Sequence, residues 1–220
     1  MSDVDDETKI RSNVATFAFR DQGRWTDLRA LFRPEATIAV TWYAGPVDGF
    51  VERSMKMAQA PSAPVTKHWI GASRVALAGN RALCDTDVII MARGRIGPIE
   101  VDMASYARFL DRFEQRDGAW RVLARTAIYE KDRIDPVAPS LLFPLIYRAA
   151  RFERYPRSYR HLAAGLVRSG IGLVPGIIES GTQEEQNLIT AGPDLAGGTA
   201  RGVSASSPGI GAPVASSLHR

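Results

Sequence analysis

The spacing of apolar side chains changes period along the chain, and each change marks an element. From about Asp5 to Phe32, the positions Val14, Phe17, Ala18, Trp25, Leu28, Leu31 and Phe32 recur at three- and four-residue steps, as a buried helical face requires. The polar string RDQGR (20–24) interrupts them. Gly23 costs helix stability, so two helices joined by a turn are predicted rather than one rod. Beyond Arg33-Pro34 the texture becomes β-branched and aromatic: ATIAVTWYAG (36–45) reads as a strand ending in a turn at Gly45-Pro46. GFVERSMKMA (49–58) predicts a short helix, closed by a Pro/Ser/Ala loop at 60–64. Three strand-like runs follow, HWIGASRVAL (68–77), RALCDTDVIIMARG (81–94) and IEVDMASYARFLDRFEQ (99–115). The hairpin signal Asp117-Gly118 then leads into a fourth, AWRVLARTAIYEKD (119–132).

Helix, helix, strand, helix and four sequential strands predict an α+β fold: a curved antiparallel sheet wrapped around N-terminal helices, enclosing a cone-shaped pocket. This unit is expected to span residues 1–132. Residues 133–190 are proline-punctuated, with two short helical stretches, IYRAARFERY and RSYRHLAAGLVRSG, and read as an extension packing on the cone or at a subunit interface. From 191 to 220 the chain is Gly, Ala, Ser and Pro with few large apolar residues, which predicts a disordered tail.

Composition narrows the function classes. With 220 residues, 45% of them hydrophobic, the chain can bury a core without cross-links, and its lone Cys84 excludes an intrachain disulfide. No metal-ligand cluster and no glycine-rich phosphate loop is present, so no metal and no cofactor are expected. The net charge of +4 has its excess between Arg148 and Arg168, too sparse for a nucleic-acid face. A basic, aromatic helix there could lie on a membrane surface, but Pro144 and Pro156 interrupt it, and no membrane partner is expected. The start of the chain has no apolar signal region and no run reaches the length of a membrane span, so a cytoplasmic protein is expected.

His68 heads a segment that otherwise reads as a strand, in a chain with three histidines. Its ordinary pKa near 6.5 suits proton transfer at neutral pH, and the competing reading is an imidazole bonded to backbone at a strand end. On CDTDVII, Asp85 and Asp87 share one face and Thr86, Val88 and Ile90 the other, by the two-residue period. Arg125 shares a face with Leu123 and Tyr129. It is a candidate electrophile, the competing reading being a structural ion pair with an acid. Tyr106 and Tyr129 are candidate pocket hydroxyls, and Trp42 and Trp69 candidate walls for a flat ligand.

The strings RDQGRWTDLRALFRPEA, GPVDG, KHWIG and QRDGAWRVLAR, in that order and spacing, resemble the SnoaL-like group of the nuclear-transport-factor-2-like superfamily. HWIGASRV is especially similar to a strand of its member scytalone dehydratase. AIYEKDRIDPVAP followed by YPRSYRHLA resembles an extension seen in bacterial SnoaL-like proteins, so the likeness covers roughly residues 5–175. The resemblance implies the same α+β cone, with His68 inside it as general base and Asp21 as its partner. It places Thr86 inward; a one-residue slip would put Asp87 there instead. It also marks departures. Arg20 stands where a pocket tyrosine is expected, another tyrosine falls near Trp42 or Tyr43, and a second histidine falls near Thr86. His161 and His219 fall outside the expected cone. Relatives pair through the sheet or the cone rim, which implies a homodimer or homotrimer.

These readings point to a cofactor-independent lyase, of the dehydratase or deformylating type, acting on a small aromatic or cyclic substrate. An isomerase or cyclase would use the same groups, and a non-catalytic ligand-binding module would use the same cone. A basic adaptor acting through Arg148–Arg168 is a further class.

Overall fold

A computed structural model describes residues 3–61 and 63–192; the tail expectation for 191–220 lies almost wholly outside them. Helix α1 (Asp3–Ala15) buries Ile10 and Val14, and the 3-10 turn that continues it (Thr16–Arg20) adds Phe17, so one apolar line runs through both. Gly23 takes a left-handed φ of 67°, which reverses the chain into α2 (Trp25–Ala30). The helical pattern expected to reach Phe32 stops at Ala30. Phe32 instead opens strand β1 (Phe32–Val40), because Pro34 biases the residue before it toward extended backbone.

The run ATIAVTWYAG is a hairpin rather than one strand: β1 turns at Thr41-Trp42 into β2 (Tyr43–Pro46), with Val40 facing Tyr43. The turn is held from a distance, since the Thr41 N–H donates to the Tyr129 hydroxyl at 3.1 Å. Helix α3 (Val47–Ala58) then buries Val47, Phe50 and Val51. Four long strands follow, β3 (Val65–Ala78), β4 (Arg81–Ile96), β5 (Ile99–Arg116) and β6 (Ala119–Pro136), each antiparallel to the next. The β5–β6 turn has Asp117 at φ 52° and Gly118 at φ 73°, the paired positive angles of a type I′ turn.

The sheet order is β2-β1-β6-β5-β4-β3, and β1 joins β6 in parallel, a crossover that strand order along the chain does not reveal. Register shifts at Ile70/Ser73, Tyr106/Ala107 and Arg112/Phe113 mark bulges. Bulges bend a strand and sharpen its twist, which is how strands of this length curl over α1 and α3. The main core fills the concave side with Phe17, Leu28, Phe32, Phe50, Phe109, Phe113 and Val122.

Beyond β6, helix α4 (Phe143–Ala149) and helix α5 (Arg160–Arg168) build a second, smaller core. Phe152, Ala164, Phe143 and Ile146 pack there against Ile96 and Val101. The Asp132 carboxylate clamps this unit to β6. It accepts the His161 and Leu162 backbone N–H groups at 2.6 and 2.9 Å and meets the His161 Nδ1 at 2.8 Å. His161 is therefore buried and engaged, its Nε2 lying 3.0 Å from the Tyr147 hydroxyl. Strand β7 (Ile178–Glu179) adds to β6 in parallel, and helix α6 (Gln183–Thr190) follows, capped by the Thr182 hydroxyl. Arg108 reaches Glu185, and Arg112 donates to the carbonyls of Leu188 and Gly192, which ties α6 to β5.

Candidate functional site

His68 is the only residue of β3 that is buried. The rest of the strand lines the open edge of the sheet, so burial of this one imidazole needs a local cause. The cause is the turn after the 3-10 segment, which delivers Asp21 against it. The Asp21 carboxylate accepts the His68 backbone N–H at 2.5 Å through Oδ2 and meets the His68 Nδ1 at 2.7 Å through Oδ1. The side chains are 8% and 5% exposed. An ionised carboxylate only accepts, so Nδ1 carries the proton and the lone pair lies on Nε2. Among the described residues, Nε2 makes no hydrogen bond.

The electrostatics hold this tautomer neutral. Burial pulls the His68 pKa below its ordinary value. The hydrogen bond to Asp21 opposes that, while the charges of Arg20 and Arg125 reinforce it. For Asp21, burial pushes upward, but the hydrogen bonds and charge of His68, with Arg20, outweigh it and keep the carboxyl below the usual range. The resting pair is thus an anionic carboxylate and an uncharged base.

Around the imidazole the walls are aromatic. Phe17 meets it edge-on with centroids 5.7 Å apart, and Phe17 in turn packs on Phe109 and Phe50. Trp42 stacks on Phe50 at 5.1 Å and faces the same interior. Arg125 lies between Phe17 and Phe109, 4.3 Å from each ring centroid, and Asp111 holds it through two 2.6 Å hydrogen bonds. The structural-pair reading of Arg125 therefore holds, yet its Nη1 is buried with no partner. Thr86 faces inward and is fully buried against Ser73, while Asp87 lies half-exposed on the other face beside Arg74.

Other candidates stand elsewhere. Trp69 is 61% exposed, on the face of β3 opposite His68, because adjacent strand residues alternate. The same alternation puts Tyr106 outside, under Lys131, in a groove of about 430 Å³ that also touches Lys67 and Met91. Neither residue lines the interior as expected from sequence. Tyr43 and Tyr129 are buried inside, but their hydroxyls are engaged, Tyr43 donating to the Pro46 carbonyl at 2.6 Å and Tyr129 meeting Thr41. Leu123 is the bulge residue of β6, so Val122 rather than Leu123 continues the inward row that holds Arg125 and Tyr129.

Arg20 was not among the expected site residues. Its guanidinium lies 3.8 Å from the Asp21 carboxylate and 6.0 Å from the Trp42 ring centroid, with a side chain 13% exposed. Burial lowers its pKa, against the pull of Asp21. The signal was present in RDQGRW, where an arginine occupies the place of the anticipated pocket tyrosine.

The SnoaL-like domain model matches residues 2–126, more than half of the chain, and the protein belongs to that family. Pea pathogenicity protein 2 of Fusarium vanettenii is 30% identical over 149 residues, covering 66% of this chain and 62% of that protein. An uncharacterised protein of Emericella nidulans is likewise 30% identical, over 152 residues, with the same shares covered. The chain thus spans less than two thirds of the length of these curated relatives. A solved structure of a putative scytalone dehydratase from Novosphingobium aromaticivorans superposes with a TM-score of 0.51 at 14% identity, covering 62% of this chain and 96% of that one. This shows the shared nuclear-transport-factor-2-like α+β fold. The SnoaL-like fold binds small molecules. Among the described residues, no helix is long and apolar enough to cross a membrane.

Proposed function

We propose that the protein is a cofactor-independent lyase of the dehydratase type acting on a small aromatic or cyclic carbonyl compound. One observation carries the reading: the single buried residue of β3 is a neutral imidazole whose Nδ1 is held by Asp21 at 2.7 Å, leaving Nε2 without a hydrogen bond among the described residues. Nε2 removes a proton from the carbon beside the substrate carbonyl. The electron pair of that C–H bond moves into the carbonyl to give an enolate, and Asp21 stabilises the imidazolium. Collapse of the enolate expels a β-hydroxyl group, which leaves as water by taking the proton back from His68. Arg20, beside the dyad and without a direct hydrogen bond to a carboxylate, is the group to receive the enolate oxygen. Arg125, pinned by Asp111, supplies fixed positive charge deeper in. Phe17 and Trp42 suit a planar ring.

An isomerase shares the first step and differs in returning the proton to another carbon. A deformylating lyase would start from the hydroxymethyl O–H and release formaldehyde. A non-catalytic ligand-binding module is favoured by one observation, that the buried tyrosine hydroxyls are already engaged in structure. The deciding experiment offers aryl β-hydroxy ketones in D2O and follows both water loss and exchange of the α-proton by NMR. Elimination, or exchange alone, that falls about 10²-fold or more in His68→Gln supports base catalysis and separates lyase from isomerase. Binding of these ketones with neither reaction, unchanged in His68→Gln, would replace it with the binding-module reading.

A further inference from the structure

We infer that the tip formed by Leu141, Leu142 and Leu145 at the start of α4 is a contact surface for an anionic lipid bilayer. This is independent of the chemistry proposed at His68. Leu141 is 100% exposed, Leu145 68% and Leu142 58%, with Val137 also exposed nearby in the chain. These leucines are not surplus core. The inner side of α4 is already supplied by Phe143, Ile146 and Tyr147, which pack on the second core, so the leucines form a separate, outward face.

The sequence argued against a membrane surface because prolines interrupt the stretch. The structure removes half of that objection, since Pro144 lies in the first turn of α4, where a missing N–H costs nothing and the fixed φ favours the helix. One turn beyond Leu145 the character changes from aliphatic to basic. Arg148, Arg151, Arg154 and Arg157 are all exposed, with Glu153 the one acid among them. Among the described residues no carboxylate pairs with any of the four. An aliphatic tip followed by unpaired arginines matches the layering of an anionic membrane, acyl chains beneath phosphate headgroups.

The shape favours lipid over protein. A wholly exposed leucine is convex and offers no pocket or flat area for complementary packing, and the tip exposes no tryptophan, tyrosine or arginine anchor of the kind that dominates protein interfaces. A fluid apolar phase needs no such complementarity. Each arginine near an anionic surface strengthens partitioning about fivefold.

The test is co-sedimentation of the full chain with vesicles of phosphatidylcholine alone or mixed with phosphatidylglycerol. It includes Leu141→Asp/Leu145→Asp, whose exposed positions leave the fold intact by thermal melting, and Arg148→Glu/Arg151→Glu. The expected result is binding to the mixed vesicles, weakened by salt and reduced about tenfold or more by either double substitution. Folded protein that ignores the mixed vesicles, or binds them equally after the leucine substitutions, overturns the inference. So does a leucine variant that changes the oligomeric state in sedimentation velocity, which would assign the tip to a second copy of the chain.

Discussion

At the scale of single residues, ionisable groups are placed inside the protein with a hydrogen-bonding partner beside them. Asp21 and His68 are one case, and their titration follows from burial. The His68 pKa lies below 6.5, so the stability that its neutral form contributes is complete above 6.5 and declines as pH falls from there toward the folded value. Asp21 is also lowered, so its contribution is present above 3.8 and is lost as pH falls through its folded value. NMR titration of the His68 ring is expected to give a midpoint below 6.5, and Asp21→Asn should lower it further by removing the one partner that favours the imidazolium. A rise in Asp21→Asn would contradict that balance. Arg125 and Asp111 are the second case, with side chains 1% and 0% exposed. Arg125→Met alone should cost about 3–5 kcal/mol in urea unfolding, because it strands a buried carboxylate. Arg125→Met/Asp111→Leu should recover most of that loss. If the double variant is as unstable as the single one, the pair contributes through packing on Phe17 and Phe109 instead.

At the scale of elements, the type I′ turn at Asp117-Gly118 was legible from two residues, and the structure allows its cost to be isolated. A Cβ at Gly118 would meet no atom within 4 Å, so Gly118→Ala should lose about 1 kcal/mol of stability, as backbone strain alone. Losing much more would mean that the hairpin register shifts as well. The long strands, α3 and the break at Gly23 were equally readable, since periodicity and turn chemistry are local. What escaped was set by partners far along the chain. The Thr41-Trp42 turn depends on Tyr129, the parallel β1–β6 pairing depends on a crossover, and the bulge at Leu123 depends on its match to β5. The site divides the same way. The meeting of His68 with Asp21 followed a family likeness rather than any local pattern. Trp69 and Tyr106 were misplaced because their faces depend on a register that only the folded sheet fixes.

At the scale of the whole molecule, α4 and α5 pack as a second, smaller core, and Asp132 is one of the ties that hold it to the sheet. Asp132 receives two backbone N–H groups and one imidazole, so Asp132→Ala leaves three groups to find water. Amide hydrogen exchange across 143–168 should then speed up about 100-fold, consistent with unsatisfied buried groups costing roughly 1–3 kcal/mol each. Protection in β4 and β5 around Val88 and Phe109 should stay as it was. Equal loss in both regions would show that the two cores unfold together.

The grip on His161 repeats the grip on His68. In both, one carboxylate takes the histidine's own backbone N–H and its Nδ1, at 2.5 and 2.7 Å for Asp21 and 2.6 and 2.8 Å for Asp132. The two differ at the far nitrogen, which Tyr147 occupies in His161 and nothing among the described residues occupies in His68. The protein thereby carries its own reference standard. In a nitrogen-15 spectrum both rings should report the same tautomer, and only the His68 Nε2 signal should move when a molecule enters the cone.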